Sequence, residues 1–198
     1  MRITRINWTV LLMIVVAACA AVAEAQQSPV VNSPQPRPEL ALTYTYLRAN
    51  APPGGCGCFN LNGGSAQFIW PTRVRGVALA GDVTVSHANN IASSNSSLTL
   101  SAFTAGARYS PPLKQSRFQP FGQILVGYGH INGSLTQGQT AGSSNGFAAN
   151  VGGGLDARIS QHVSLRLVEA DYLVTTFTNG VNDHQNLLRL GAGIVVRF

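Results

Sequence analysis

The side chains able to do chemistry are few: 13 Lys+Arg, 7 Asp+Glu and 4 His in 198 residues. Nine charged ones, Asp82, Arg108, Asp156, Arg158, Arg166, Glu169, Asp171, Arg189 and Arg197, lie in segments of alternating polarity. If they share an enclosed space they must pair, since an isolated buried charge is costly to desolvate. The structural reading is a salt-bridged polar core, with Arg189 facing Glu169 or Asp171; the functional alternative is a gated ion path through it. Cys56-Gly57-Cys58 offers thiol chemistry. Outside the cytoplasm two thiols so close oxidise, to each other or to a partner, although a Cys-x-Cys ring is tight and its bond strained. Free redox-active thiols and metal binding are the alternatives, the latter short of further ligands. His162-Val163-Ser164 sets a general base beside a nucleophile, but no acid is placed to orient the ring, and a solvated turn is the stronger reading. His87, His130 and His184 are too dispersed for a metal site and read as rim residues. No catalytic residue, cofactor or metal is expected.

The elements that position these residues must come from an unusual composition. Charged residues make up 10% of the chain and there are 21 glycines, whereas a soluble domain carries about 25% charged residues. The length suits one domain. The formal charge of +6 is spread over scattered arginines rather than clustered on one face, which argues against nucleic-acid binding. Residues 1–25 read as an export signal: Arg2 and Arg5, an apolar run from Val10 to Ala18, then Ala23-Glu24-Ala25 as a small-x-small cleavage pattern. Its removal takes two arginines and one glutamate, lowering the charge to about +5. The alternative is Val16-Ala17-Ala18-Cys19, which resembles a lipobox and would leave a lipid-modified Cys19. Residues 26–39 are rich in Pro and polar side chains and read as a flexible periplasmic segment.

From Leu40 on, polarity alternates with a period of two in eight segments. The segment at 40–49 sets Leu42, Tyr44 and Tyr46 against Thr43 and Thr45. That at 64–71 sets Ala66, Phe68 and Trp70 against Ser65 and Gln67. At 75–87, Leu79, Val83 and Val85 oppose Ala80, Asp82 and Thr84; at 98–110, Phe103, Ala105 and Tyr109 oppose Thr104 and Arg108. Segments 119–131 and 146–159 turn Ile124, Val126, Tyr128, Phe147, Val151 and Ile159 outward and Gln123, Asn150, Asp156 and Arg158 inward. At 162–175 the phase breaks, and a β-bulge near Leu167–Val168 would bring Arg166, Glu169 and Asp171 to one side. At 186–198, Leu188, Leu190, Ala192, Ile194, Val196 and Phe198 oppose Arg189 and Arg197.

The expected fold is all-β: an eight-stranded antiparallel up-and-down transmembrane β-barrel over 40–198, apolar outside and small or polar inside. Links after odd strands (50–63, 88–97, 132–145, 176–185) are longer than those after even strands (72–74, 111–118, 160–161), matching long outer loops and short periplasmic turns. Trp70, Tyr109, Phe121 and Phe198 then fall near the periplasmic rim and Tyr46, Tyr128, Phe147 and Tyr172 near the outer one, two girdles suited to the lipid–water boundaries. A soluble lipocalin-like barrel would turn its large aromatics inward instead.

Leu190, Ala192, Ile194, Val196 and the terminal Phe198 resemble the C-terminal signal by which outer-membrane proteins are recognised for assembly. With the alternation and export signal, region 40–198 resembles the OmpA/Opa-like small barrels of the outer membrane protein beta-barrel domain family, and Ala51–Phe59 and Ala170-Asp171-Tyr172-Leu173 resemble a subgroup of it. The resemblance implies bacterial outer-membrane location with periplasmic termini and no shared catalytic residues. The peptidoglycan-binding domain of longer relatives is not expected. Partners implied are outer-membrane lipid and the barrel-assembly machinery. His162-Val163-Ser164 also resembles the His-x-Ser pair of PagL-like lipid A deacylases, but falls at a periplasmic turn rather than the outer leaflet. Polar, nearly uncharged outer loops such as Ser93–Ser97 and Thr136–Thr140 suit a glycan or other surface ligand, and Arg48 suits a rim lipid phosphate or simple snorkelling. The function expected is structural and surface-interacting, with a charge-plugged interior; a lipid-modifying enzyme and a narrow gated channel are the alternatives.

Overall fold

A computed structural model describes residues 37–49, 59–91, 96–113, 116–133, 142–176 and 185–198. The signal segment, Cys19, Cys56, Cys58 and His184 lie outside the described residues, as do most of the 26–39 segment and of the outer loops. Eight strands follow one another: β1 (Glu39–Ala49), β2 (Phe59–Pro71), β3 (Val77–Ile91), β4 (Ser96–Tyr109), β5 (Phe118–Gly133), β6 (Gly142–Arg158), β7 (Val163–Thr175) and β8 (Gln185–Arg197). Each pairs antiparallel with the next, and β1 pairs with β8 to close the barrel. Closure leaves no unpaired edge, so every strand carries two ladders of backbone hydrogen bonds.

Side-chain period fixes which residues meet the interior. Over the half of the barrel nearer the termini, apolar side chains point outward: Leu42, Phe68, Leu79, Ile124, Val151 and Ile194 are all exposed. Their neighbours Thr43, Gln67, Asp82, Gln123, Asn150 and Arg189 are buried. Such a surface is stable only against an apolar solvent. No helix among the described residues is long and apolar enough to cross a membrane; the crossing elements are strands.

At the end away from the termini the strands run further than their lipid-type alternation indicates, and the polarity inverts. β2 begins at Phe59 rather than near residue 64, β3 continues to Ile91, and β6 begins at Gly142. Here Leu47, Leu61, Leu98, Leu100, Ile131 and Leu187 fill the interior as an apolar cluster, while Asn60, Asn62, His87, Asn89, Asn132 and Asn145 face outward. These stretches were expected as loops because amides and glycines dominate them. They form strands because Leu61, Ala88 and Ala148 turn inward onto the apolar cluster and each stretch continues the backbone ladder of its neighbour, the pattern of a water-soluble sheet.

The turns at the termini end are compact. Between β2 and β3, Thr72 N donates to Val77 O at 3.1 Å and Val77 N to Val74 O at 3.0 Å. Gly76 sits there at φ 81°, where a Cβ would lie 2.8 Å from Ser110 O. Phe198 N donates to Pro38 O at 3.1 Å, tying the chain end beside the start of β1.

Candidate functional site

The middle of the barrel interior is a continuous ionic cluster. Arg189 on β8 is its hub: Nη1 donates to Asp82 Oδ1 at 3.0 Å and to Thr84 Oγ1 at 2.6 Å, and Nη2 to Glu169 Oε1 at 2.9 Å and Asp171 Oδ2 at 2.5 Å. Arg166 on β7 binds Asp156 through Nε at 3.0 Å and Glu169 through Nη1 at 2.8 Å. Arg108 on β4 binds Asp156 at 2.8 Å and Gln67 Oε1 at 3.0 Å. Two amides join the halves: Gln67 Nε2 donates to Gln123 Oε1 at 2.9 Å, and Gln123 Nε2 to Glu169 at 2.9 Å and Asp171 at 3.1 Å. Three guanidiniums thus meet four carboxylates, and these side chains are at most 3% exposed. With several partners for each charge, the desolvation cost is offset as burial requires.

Local sequence makes room for this cluster. In β7 the register shifts between Arg166 and Glu169, and Leu167 and Val168 are both exposed. That bulge keeps Arg166, Glu169 and Asp171 inside together. On β6, facing Asp171 in register, Gly152 has no side chain because a Cβ would lie 2.1 Å from Asp171 Oδ1.

Three residues of the expected charge network and aromatic girdles lie elsewhere than the sequence indicated. Arg158 is exposed, not interior: β6 ends there, below the enclosed wall, and its backbone N donates to Arg117 O at 2.7 Å. Arg197 stands apart from the central cluster, pairing with Glu39 at 2.5 Å near the rim. Phe121 is not part of a girdle. It is buried, with the Arg108 guanidinium 3.5 Å and that of Arg166 4.6 Å from its ring centroid, so its ring serves as an interior cation–π platform. Gln67, Gln123 and Thr84 also act within the cluster; their inward parity in otherwise lipid-type strands was the available signal.

His162 and Ser164 do not meet. His162 is exposed, with Nε2 3.4 Å from Arg37 Nη1, whereas Ser164 is not in the solvated turn but buried inside the wall. His87 and His130 belong to the outer polar surface: His87 contacts Thr99 at 2.9 Å and Asn89 at 2.7 Å, and His130 contacts Asn145 at 2.5 Å. Tyr44 Oη donates to Asn62 Oδ1 at 3.0 Å. No group of three or more metal-ligating side chains occurs among the described residues. The arrangement can hold charges rigidly, and above it the buried apolar cluster of the outer end occupies the interior. The chemically accessible surface of the outer end is its polar exterior.

A comparison with curated protein sequences finds no significant match. Among solved structures the chain is similar to Neisserial surface protein A, with a TM-score of 0.58 and 18% identity over 81% of this chain and 97% of that one. It is similar also to Ail, the attachment invasion locus protein of Yersinia pestis, with a TM-score of 0.52 and 16% identity over 81% and 99%. At these identities the likeness is one of fold. The outer membrane protein beta-barrel domain model matches residues 10–198, nearly the whole sequence, with the closed barrel and lipid-type exterior it requires. This chain is a bacterial outer-membrane barrel and belongs to the outer membrane protein beta-barrel domain family.

Proposed function

We propose that this barrel is a surface-interaction protein whose working part is the outer polar collar with the loops it carries, and that its interior is a structural plug. The observation that carries this reading is the inversion of polarity at the outer ends of the strands. Asn60, Asn62, Asn89, Asn132 and Asn145 face outward there over a packed apolar interior, so the collar stands in water as a rigid platform. A rigid platform lowers the ordering cost that a flexible loop pays on binding. Amides and imidazoles offer donors and acceptors at low charge, and no carboxylate lies on the collar among the described residues. That chemistry suits the hydroxyl pairs of a glycan. Cys56–Cys58, if bonded, would restrain the first loop on this platform.

The alternatives have less support. A lipid-modifying enzyme needs its nucleophile, base and acid together in the outer half, and His162 and Ser164 lie apart at the opposite end. A channel needs a wetted path, and both apolar and ionic layers stand in it. The test is binding of immobilised neutral and sulfated polysaccharides to cells displaying the protein, compared with an Asn60→Ala/Asn132→Ala/Asn145→Ala variant. Saturable binding reduced at least about tenfold in that variant, as loss of hydrogen bonds worth about 1.4 kcal/mol or more in total gives, supports the reading. Equal binding by both, or none, removes the collar as the site.

A further inference from the structure

We propose that the rim of the barrel at its termini end is a binding surface for anionic phospholipid, the phosphates of the inner leaflet being held by a ring of unpaired arginines. The interior cluster carries three arginines against four carboxylates, and Arg197 is neutralised by Glu39. The excess lies at the rim: Arg73 and Arg75 in the β2–β3 turn, Arg117 and Arg158 at the adjoining ends of β5 and β6, and Arg37 beside β1 are all exposed. None of these five pairs with a carboxylate among the described residues; Arg37 contacts only the His162 ring. The backbone bond from Arg158 N to Arg117 O at 2.7 Å brings two of them side by side.

Charge alone would suit any polyanion of the periplasm, and the neighbouring side chains choose among them. Val74 lies between Arg73 and Arg75, Phe118 follows Arg117, Ile159 follows Arg158, and all three are exposed, Ile159 at 69%. Trp70, Tyr109 and Phe198 are exposed at the same end. Apolar side chains at turn tips are unfavourable against water and favourable at the boundary where headgroups meet acyl chains. A guanidinium beside an apolar anchor is the arrangement that snorkels to a phosphate. A soluble wall polymer would have no use for the apolar half of the pattern. The rim therefore fits a bilayer surface rich in phosphatidylglycerol or cardiolipin.

The test uses the protein extracted from outer membranes and returned to phosphatidylcholine vesicles, with spin-labelled phosphatidylglycerol or phosphatidylcholine as the reporting lipid. The ratio of the two in the motionally restricted shell reads selectivity directly. At low salt the ratio should be about fivefold in favour of phosphatidylglycerol, the effect of engaging one basic side chain at the surface. It should fall toward one in 0.5 M NaCl and in the Arg73→Gln/Arg75→Gln/Arg117→Gln/Arg158→Gln variant, whose folding is verified by its heat-modifiable gel band. If that variant fails to fold, the two pairwise variants, Arg73→Gln/Arg75→Gln and Arg117→Gln/Arg158→Gln, and the salt titration of the unmodified protein give the same reading. A ratio of one at low salt, or selectivity that survives loss of the arginines, overturns the proposal. So does arginine-dependent sedimentation with isolated peptidoglycan sacculi without lipid selectivity, which would assign the ring to the cell wall.

Discussion

Arg189 and Arg197 lie on the same strand and both bind carboxylates, yet they differ in what their removal leaves behind. Replacing Arg189 by Ala strips Asp82, Glu169 and Asp171 of a shared cation in an interior closed to water, and breaking a buried pair from one side costs about 3–5 kcal/mol. Arg197 and Glu39 keep 11% and 18% side-chain exposure, so removing Arg197 strands one carboxylate with some access to water rather than three without it, and the cost is smaller, about 1–3 kcal/mol. Urea unfolding in detergent should therefore show Arg189→Ala strongly destabilised and Arg197→Ala less so. Equal effects would mean that the central charges are solvated. The inward parity of Asp82, Arg108 and Arg189 was legible because one strand alone sets it. The Phe121 platform was not, because its two cations come from β4 and β7, and an aromatic side chain suits a girdle as well as a lumen.

The bulge in β7 shows what one strand contributes. Leu155 pairs with Val168 and Asp156 with Arg166, so Leu167 is the residue without an opposite number. Deleting it leaves Arg166 and Glu169 on the inner face with one apolar residue between them outside. Deleting Ala170 instead makes Asp171 follow Glu169 directly and turns either Asp171 or everything before it to the wrong face. A charge on the lipid face is destabilising to a degree that depends on depth, and Arg189 would lose a partner. On denaturing gels the Leu167 deletion should retain a heat-modifiable band and the Ala170 deletion should lose it; the opposite result would show that the bulge, not the facing of the charges, is essential. The sequence announced this bulge because Arg166 conflicts in parity with Glu169 and Asp171. It concealed the outer ends of β2, β3 and β6, where asparagines, serines and glycines weaken the strand signal and only the inward Leu61, Ala88 and Ala148 keep the alternation.

Across the whole molecule the barrel is built for two solvents. Its lower wall puts apolar residues outside and holds the charges inside; its upper wall packs apolar residues inside and turns amides and imidazoles outward. The change of regime falls along single strands, and β5 carries it within a few residues. Val126 faces the lipid band, Ile131 the apolar interior of the collar, and Asn132 the outer surface. Six residues of strand separate Val126 from Asn132, roughly 20 Å of chain at about 3.3 Å per residue, enough to pass from hydrocarbon to water. In a Cys56→Ser/Cys58→Ser background, Asn132→Cys on intact cells should react readily with a membrane-impermeant maleimide. Val126→Cys should stay unreactive until detergent displaces the lipid, and Ile131→Cys until the barrel is unfolded. The third variant separates this architecture from a wetted lumen: a collar interior open to water would label Ile131→Cys in the folded protein, and the structural plug would have to be abandoned. If Asn132→Cys is protected instead, the collar lies within the membrane, and the amide surface proposed to meet a glycan faces lipid.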